Sequence, residues 1–219
     1  MQQTAEALFA RQLYKQMYGV DPPAPKQWEI VVHEQDGSQP LYRVDKTNKI
    51  VNVYLHGGQR SAWDSLKRFV FMLAGKQSGK TIYGPIHLHR WILEFGAGDY
   101  LAISATNDLF IAKMLPALKQ YFVNDLGIAK YWPGDRIFEL CDPATGKFGA
   151  THSHDYEKMW GRIILRTAES EAGMQSFSAK AAWMDEPGLY DARVWKDVRG
   201  RVSLAAGPVL GTTTPYDMG

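Results

Sequence analysis

The spacing of apolar positions changes character near residue 58. Before that point, Leu8, Phe9, Leu13 and Met17 recur every three to four residues and predict an amphipathic helix over 4–18. Asp21-Pro22-Pro23-Ala24-Pro25 follows as a stiff extended connector, because proline fixes φ and donates no hydrogen bond. Apolar runs at 28–33 and 49–55 read as strands round a polar turn at Asp36-Gly37-Ser38. From residue 58 short apolar runs alternate with helical periods. The reading gives a helix over 58–67, a strand over 69–73, a helix over 80–94, a strand over 100–104 and a helix over 107–122. Pro116 either kinks or restarts the last of these. The turn-rich segment 127–161 leaves room for a short strand at 137–141, with another at 163–166. Apolar strands follow at 179–184 and 208–213. Alternation of this kind predicts an α/β fold with a mainly parallel central sheet flanked by helices. The chain divides into a helix-and-β appendage, 1–55, and a larger α/β domain, 56–219.

Composition narrows this only slightly. The 219 residues are 45% hydrophobic and 22% charged, the values of an ordinary globular protein with a well-filled core. No apolar run approaches the roughly 18 residues of a membrane span, and the N-terminus lacks the basic-then-apolar order of a signal peptide. A single cysteine, Cys141, excludes an internal disulfide framework, fits a reducing compartment, and reads as a small buried hydrophobe. The net charge of +2 is small for a protein that grips a polyanion, although a local basic patch can serve a motor that slides.

The strand at 69–73 runs into Ala74-Gly75-Lys76-Gln77-Ser78-Gly79-Lys80-Thr81, the order of parts that a phosphate-binding loop needs. Gly75 and Gly79 let backbone N–H groups of the loop, Gln77 and Ser78 included, curl round an anion. Lys80 reaches the β- and γ-phosphates, and the Thr81 hydroxyl ligates magnesium. The helix starting at Lys80 adds its positive end. Ala74 stands where the common pattern has its first glycine.

Three further motifs gain meaning beside that loop. Ala182-Trp183-Met184-Asp185-Glu186 places two acids at a strand's end. There Asp185 suits the magnesium water shell, and Glu186 suits polarisation of an attacking water. Alone, two solvated acids at a strand end would be commonplace. Thr212-Thr213-Thr214-Pro215 is a hydroxyl-rich turn able to sense a γ-phosphate. Gln59, just upstream of the loop, carries an amide that can both donate to and accept from an adenine edge.

Taken in order, Gln59, the loop 74–81, Trp183-Met184-Asp185-Glu186 and Thr212-Thr213-Thr214-Pro215 resemble the ATPase half of a bacteriophage terminase large subunit. Gln175 to Glu186 and Tyr100 to Thr106 resemble it as well, and the resemblance covers about 54–219. It implies a P-loop NTPase of the additional-strand, RecA-like type that uses ATP and Mg2+ to drive double-stranded DNA into a procapsid. The implied partners are the portal, the terminase small subunit and further copies of the chain in a ring, in the host cytoplasm. Lys76 matches the basic residue that touches the triphosphate, Glu186 the catalytic carboxylate, and Thr212, Thr213 and Thr214 the coupling motif. Where many members carry a trans-acting arginine this chain has Gln175, so Arg166, Arg193, Arg199 and Arg201 become candidates. The family's nuclease domain has no counterpart before Gly219, which implies a fragment without DNA-cutting activity.

Two other classes stay open: a helicase-like or repair ATPase, and a weakly hydrolysing regulatory module. The remaining features carry less. His87 and His89 sit two apart on a helix and point to different sides, and His152-Ser153-His154 lacks supporting ligands. Arg60, Lys67, Arg68, Lys113 and Lys119 read as a solvated, scattered set.

Overall fold

The structure, a computed structural model, describes residues 15–17, 27–169 and 177–215. Most of the helix expected over 4–18, the proline connector and Gln175 lie outside these residues. A three-stranded sheet comes first, from β1 (Glu29–Glu34), β2 (Tyr42–Asp45) and β3 (Ile50–Leu55), in the order β1-β3-β2. β1 pairs with β3 in parallel, and β2 lies antiparallel on β3's other side. This corrects the expectation that 28–33 and 49–55 form one hairpin about Asp36-Gly37-Ser38. The missed strand is β2, whose mixed Tyr42-Arg43-Val44-Asp45 shows little apolar signal and is only partly buried.

The larger sheet takes its order from α/β crossovers. Its strands are β4 (Phe69–Leu73), β5 (Gly98–Ser104), β6 (Ala129–Trp132), β7 (Ile137–Leu140), β8 (Gly161–Thr167), β9 (Ala182–Asp185) and β10 (Val209–Thr213). They lie in the order β4-β10-β9-β5-β8-β7-β6. The first five are parallel, while β6 and β7 form an antiparallel edge. β10 therefore sits between the strand that feeds the phosphate loop and the strand that ends in Asp185. That is the additional-strand arrangement of P-loop folds, and the α/β expectation holds.

Parallel strands covered on both faces need apolar side chains in both directions. In β5, Tyr100 and Ala102 belong to one buried cluster, and Leu101 and Ile103 belong to the other. The first cluster packs against α1 (Gly57–Asp64), α2 (Lys80–Phe95) and a long helix α3 over 107–125. The second packs against α4 (Ala192–Ser203) through Val194, Val198 and Val202. Val51, Val53 and Leu55 of β3 join the first cluster, so a continuous core crosses residue 55. α3 neither stops nor restarts at Pro116. It passes through π-helical turns at Phe110–Met114 and Lys119–Asp125, which flank the α-helical Leu115–Leu118. Wide turns are a recognised way to absorb a helix irregularity. Among the described residues no helix is long and apolar enough to cross a membrane.

α2 and β9 approach closely. A Cβ on Gly84 would stand 2.0 Å from Trp183 Cε2, so α2 reaches the sheet only because this residue has no side chain. Trp183 is fully buried. Alanine favours a helix over glycine by about 1 kcal/mol, but overpacking a core typically costs 1–3 kcal/mol or more. We expect Gly84→Ala to lose about 2 kcal/mol in urea unfolding. Gly200→Ala on α4, where a Cβ meets nothing within 4 Å, is expected to be neutral or stabilising. Equal effects at the two sites would refute the close-packing account.

His87 and His89 are buried on different sides of α2, and each Nδ1 meets a phenol: Tyr83 Oη at 3.0 Å and Tyr121 Oη at 2.9 Å. Burial depresses both to about 3. A depressed histidine contributes stability that is complete above about 6.5 and is lost as pH falls, by about 1.4 kcal/mol per pH unit for each ring. Urea midpoints are thus expected to fall between pH 7 and pH 5. In His87→Leu the pH slope, as distinct from the absolute stability, is expected to shrink by one ring's share, about 1.4 kcal/mol per pH unit below about pH 6.5.

Candidate functional site

The parallel strands end in register, and that alignment builds the site. Leu73 lies opposite Thr213, Thr212 opposite Asp185, Asp185 opposite Ser104, and Ser104 opposite Thr167. Ligands of open α/β sheets bind outside the carboxyl ends of strands, where the strand order reverses. The three expected motifs, 74–81, 185–186 and 212–214, all emerge at this edge.

The loop from Ala74 to Gly79 closes on itself. Ala74 N–H donates to the Thr213 carbonyl at 3.1 Å, which ties the loop to β10. Ala74 is not among the residues with positive φ, so the backbone at this position has no need of glycine. The left-handed positions are Gln77 (φ 62) and Gly79 (φ 78), and the second serves as the N-cap of α2. Lys80 is buried, and its ammonium donates to the carbonyls of Ala74 at 2.7 Å and Gly75 at 2.8 Å, with Ser78 Oγ at 3.4 Å. Gly75, Lys76 and Gln77 are exposed on the turn, while Ser78 and Thr81 are half-buried.

Gln59 has a different surrounding from the one expected. It is buried, its Nε2 donates to the Ser78 carbonyl at 3.1 Å, and its Oε1 accepts from His56 N–H at 3.4 Å. Both ends of the amide are engaged with protein. In this geometry Gln59 holds the phosphate loop against the start of α1 and does not present a free edge to a base.

Asp185 ends β9 almost fully buried. Thr212 Oγ1 donates to Asp185 Oδ1 at 3.0 Å and accepts from Trp183 Nε1 at 2.9 Å. Burial lifts the Asp185 carboxyl to about 6; the Thr212 bond opposes the shift, the Glu186 charge adds to it, and Lys113 and Lys80 pull it down. Lys113, which the sequence places in a scattered basic set, thus exerts its charge on the acid from α3. Tyr190 Oη also braces this end of β9, at 2.9 Å from the Asp185 carbonyl and 2.7 Å from the Ile103 carbonyl. The Ser104 hydroxyl, one strand away from Asp185, is buried without a hydrogen-bond partner among the described residues. Tyr190 carries no sequence signal, and Ser104, although inside the segment 100–106, is brought to this place by the strand register.

Glu186 leaves the sheet. Its backbone is left-handed (φ 58), a conformation a non-glycine residue rarely holds without compensation. The compensation is visible: Glu186 N–H donates to the Thr212 carbonyl at 2.7 Å. Its carboxylate accepts from Thr213 Oγ1 at 3.1 Å, Thr214 N–H at 2.8 Å and Thr214 Oγ1 at 3.0 Å. The acid after β9 and the threonine turn after β10 are therefore one hydrogen-bonded unit. Of the candidate arginines, Arg166 is half-buried near the end of β8, where burial lowers its pKa. Arg193 lies beside Asp191 at 3.2 Å, and Arg201 donates to the Phe177 carbonyl at 3.3 Å. Cys141 is half-buried, and so corrects the expectation of a buried thiol.

The raised Asp185 has a consequence for stability. A group whose folded pKa is raised favours the fold below its ordinary value of 3.8 and loses that contribution as pH rises through about 6. At neutral pH the buried charge costs about 3 kcal/mol. Asp185→Asn is therefore expected to gain about 1–3 kcal/mol in urea unfolding at pH 7, with a smaller gain at pH 4.5. A loss at pH 7 would contradict this account of the site.

No protein-family model matches the chain, and no curated protein does. Solved structures do. The large terminase of a thermophilic bacteriophage superposes with a TM-score of 0.58 at 13% identity, over 73% of this chain and 39% of its own. The large terminase ATPase domain of Thermus phage P74-26 gives 0.56 at 14% identity, over 76% of this chain and 67% of its own. The UvsW helicase of bacteriophage T4 gives 0.50 at 15% identity, over 94% of this chain and 69% of its own. Further structures of the first terminase hold ATP-gamma-S and ADP. This chain thus spans about two fifths of that terminase's length, and it shares the additional-strand P-loop fold of the phage large-terminase ATPase domains.

Proposed function

We propose that this chain is the ATPase part of a phage terminase large subunit and hydrolyses ATP to move double-stranded DNA into a procapsid. The observation that carries the reading is the threefold grip of Thr213 and Thr214 on Glu186. It joins the acid that would activate water to the strand lying next to the phosphate-loop strand. A protein that only held nucleotide would have no need to tie its acid to a neighbouring strand.

The roles follow from placement. Backbone N–H groups of Gly75, Gln77, Ser78 and Gly79 and the start of α2 would receive the β- and γ-phosphates. Lys80 would turn from the Ala74 and Gly75 carbonyls to the phosphate oxygens, and Lys76 would reach the triphosphate from the exposed turn. The Thr81 hydroxyl, in the first turn of α2, and the Asp185 carboxylate, at the end of β9, are hard oxygen donors, a set suited to Mg2+. When bound, Mg2+ supplies charge neutralisation for the phosphoryl oxygens. Glu186 would accept a proton from water as the water oxygen bonds to the γ-phosphorus and the bond to ADP breaks. Lys80 and Lys76 would stabilise the charge that develops on the equatorial oxygens.

To take up that water, Glu186 must give up bonds to Thr213 and Thr214. Each turnover would in this way release the turn after β10, which is where mechanical coupling would begin. A ring of subunits on the portal, with the terminase small subunit, in the host cytoplasm, completes the proposal.

A helicase-like reading has one observation in its favour: the T4 helicase match extends over more of this chain than the terminase matches do. The two readings diverge in solution. We expect DNA-stimulated ATP hydrolysis by the full-length protein. Glu186→Ala is expected to slow turnover by at least a hundredfold while leaving nucleotide binding within a few-fold, a loss in the range of a removed general base. Translocation should proceed along duplex DNA without strand separation. Absence of turnover with DNA and procapsids would overturn the motor reading, and separation of strands would transfer it to the helicase class.

A further inference from the structure

At the end of α2 remote from the phosphate loop there is a second cavity, of about 490 Å3. α2 has 16 residues, so roughly 24 Å of helix separates the two places. Nothing in the nucleotide chemistry uses it. The cavity is bounded by the small sheet, the last turns of α2, the exit of α3 and the strand ends of β7 and β8. Its volume lies in the range of small-molecule sites.

The lining has two characters. Trp28 and Trp160 provide aromatic surface, and Ile92, Leu126, Ile128 and Leu140 provide aliphatic surface. Lys46 and Lys49, both in the β2–β3 turn, add two positive charges, and no Asp or Glu lines the space. The turn is fixed: Lys49 is held left-handed (φ 54), and its carbonyl accepts from Glu29 N–H at 2.9 Å. Lys46 Nζ donates to the Asn124 carbonyl at 3.1 Å, which leaves protons for another acceptor.

His89 is the third polar element. It lines the cavity at 1% exposure, with Nδ1 engaged by Tyr121 Oη and with no partner among the described residues for Nε2. Burial keeps the ring neutral, so Nε2 offers one hydrogen bond without adding charge. The half-buried thiol of Cys141 completes one wall, in a segment fixed by a bond from Cys141 N–H to the Ile128 carbonyl at 2.9 Å.

We propose that this cavity binds an aromatic anion: a flat apolar body that lies against the tryptophans and carries one acidic group toward Lys46 and Lys49. An inorganic anion would leave the apolar walls unused, and a neutral hydrocarbon would leave the two lysine charges with no counter-charge in the lining. The proposal is independent of the terminase reading.

The probe is 8-anilinonaphthalene-1-sulfonate, with the uncharged N-phenyl-1-naphthylamine as its counterpart. With the intact chain we expect saturable 1:1 binding of the sulfonate, unaffected by ATP, and at least about tenfold weaker binding of the neutral probe. Lys46→Ala/Lys49→Ala is expected to weaken the sulfonate about tenfold with an unchanged thermal midpoint. Occupancy should also slow alkylation of Cys141, the only cysteine, by iodoacetamide several-fold. Equal affinity for the two probes, competition by ATP, or alkylation indifferent to the sulfonate would each overturn the proposal. The two probes and the alkylation test use the unaltered protein, so they decide the matter even if the double variant fails to fold.

Discussion

The indole of Trp183 is the interaction on which the site depends. It fills the space that Gly84 leaves on α2 and donates to Thr212, which in turn donates to Asp185. One side chain thereby sets how closely the helix behind the phosphate loop approaches the sheet, and how the acid at the end of β9 is held. Buried hydroxyls are costly when unpaired, so Thr212 has one favourable place, between the indole and the carboxylate. The intervening strand is thus a structural ruler between the loop and the acids.

Around that ruler the protein maintains several unfavourable arrangements at once. A carboxylate is buried with its pKa raised, a glutamate is held left-handed, and a lysine is enclosed by carbonyls. Each would cost stability in isolation. They persist because the surrounding sheet is covered on both faces by well-filled clusters. Strain concentrated at strand ends and supported by a rigid core is a distribution that functional sites favour.

The helix α2 links the two ends of the molecule. Its N-terminus closes the phosphate loop, its middle accommodates Trp183, and its last turns border the remote cavity. His87 and His89 lie along the same helix, neutral and hydrogen-bonded to phenols. The small sheet meets α3 through Tyr42, against Tyr121 and Asp125, and Lys46, on the Asn124 carbonyl, while Val51, Val53 and Leu55 belong to the cluster that holds Ile86 and Leu88. The boundary at residue 55, read from the onset of strand–helix alternation, therefore has one buried cluster on both of its sides.

By itself the sequence determined the α/β alternation, the phosphate loop and the two acid and threonine motifs. These are local signals: an apolar run of strand length, glycines at turns, and polar residues at the ends of runs. It could not place β2, whose pattern is mixed, nor the parallel pairing of β1 with β3, because pairing is a non-local choice. It left Pro116 open, and the wide turns of α3 settled it. It offered Gln59 as a free amide, whereas the fold directs that amide into the loop. Tertiary structure alone decided that Glu186 is bonded to Thr213 and Thr214, that Lys113 acts on Asp185, and that Ser104 and Tyr190 border the same strand end. The reason is register: residues far apart in the chain become neighbours only when parallel strands end together, and register follows from packing on both faces of the sheet.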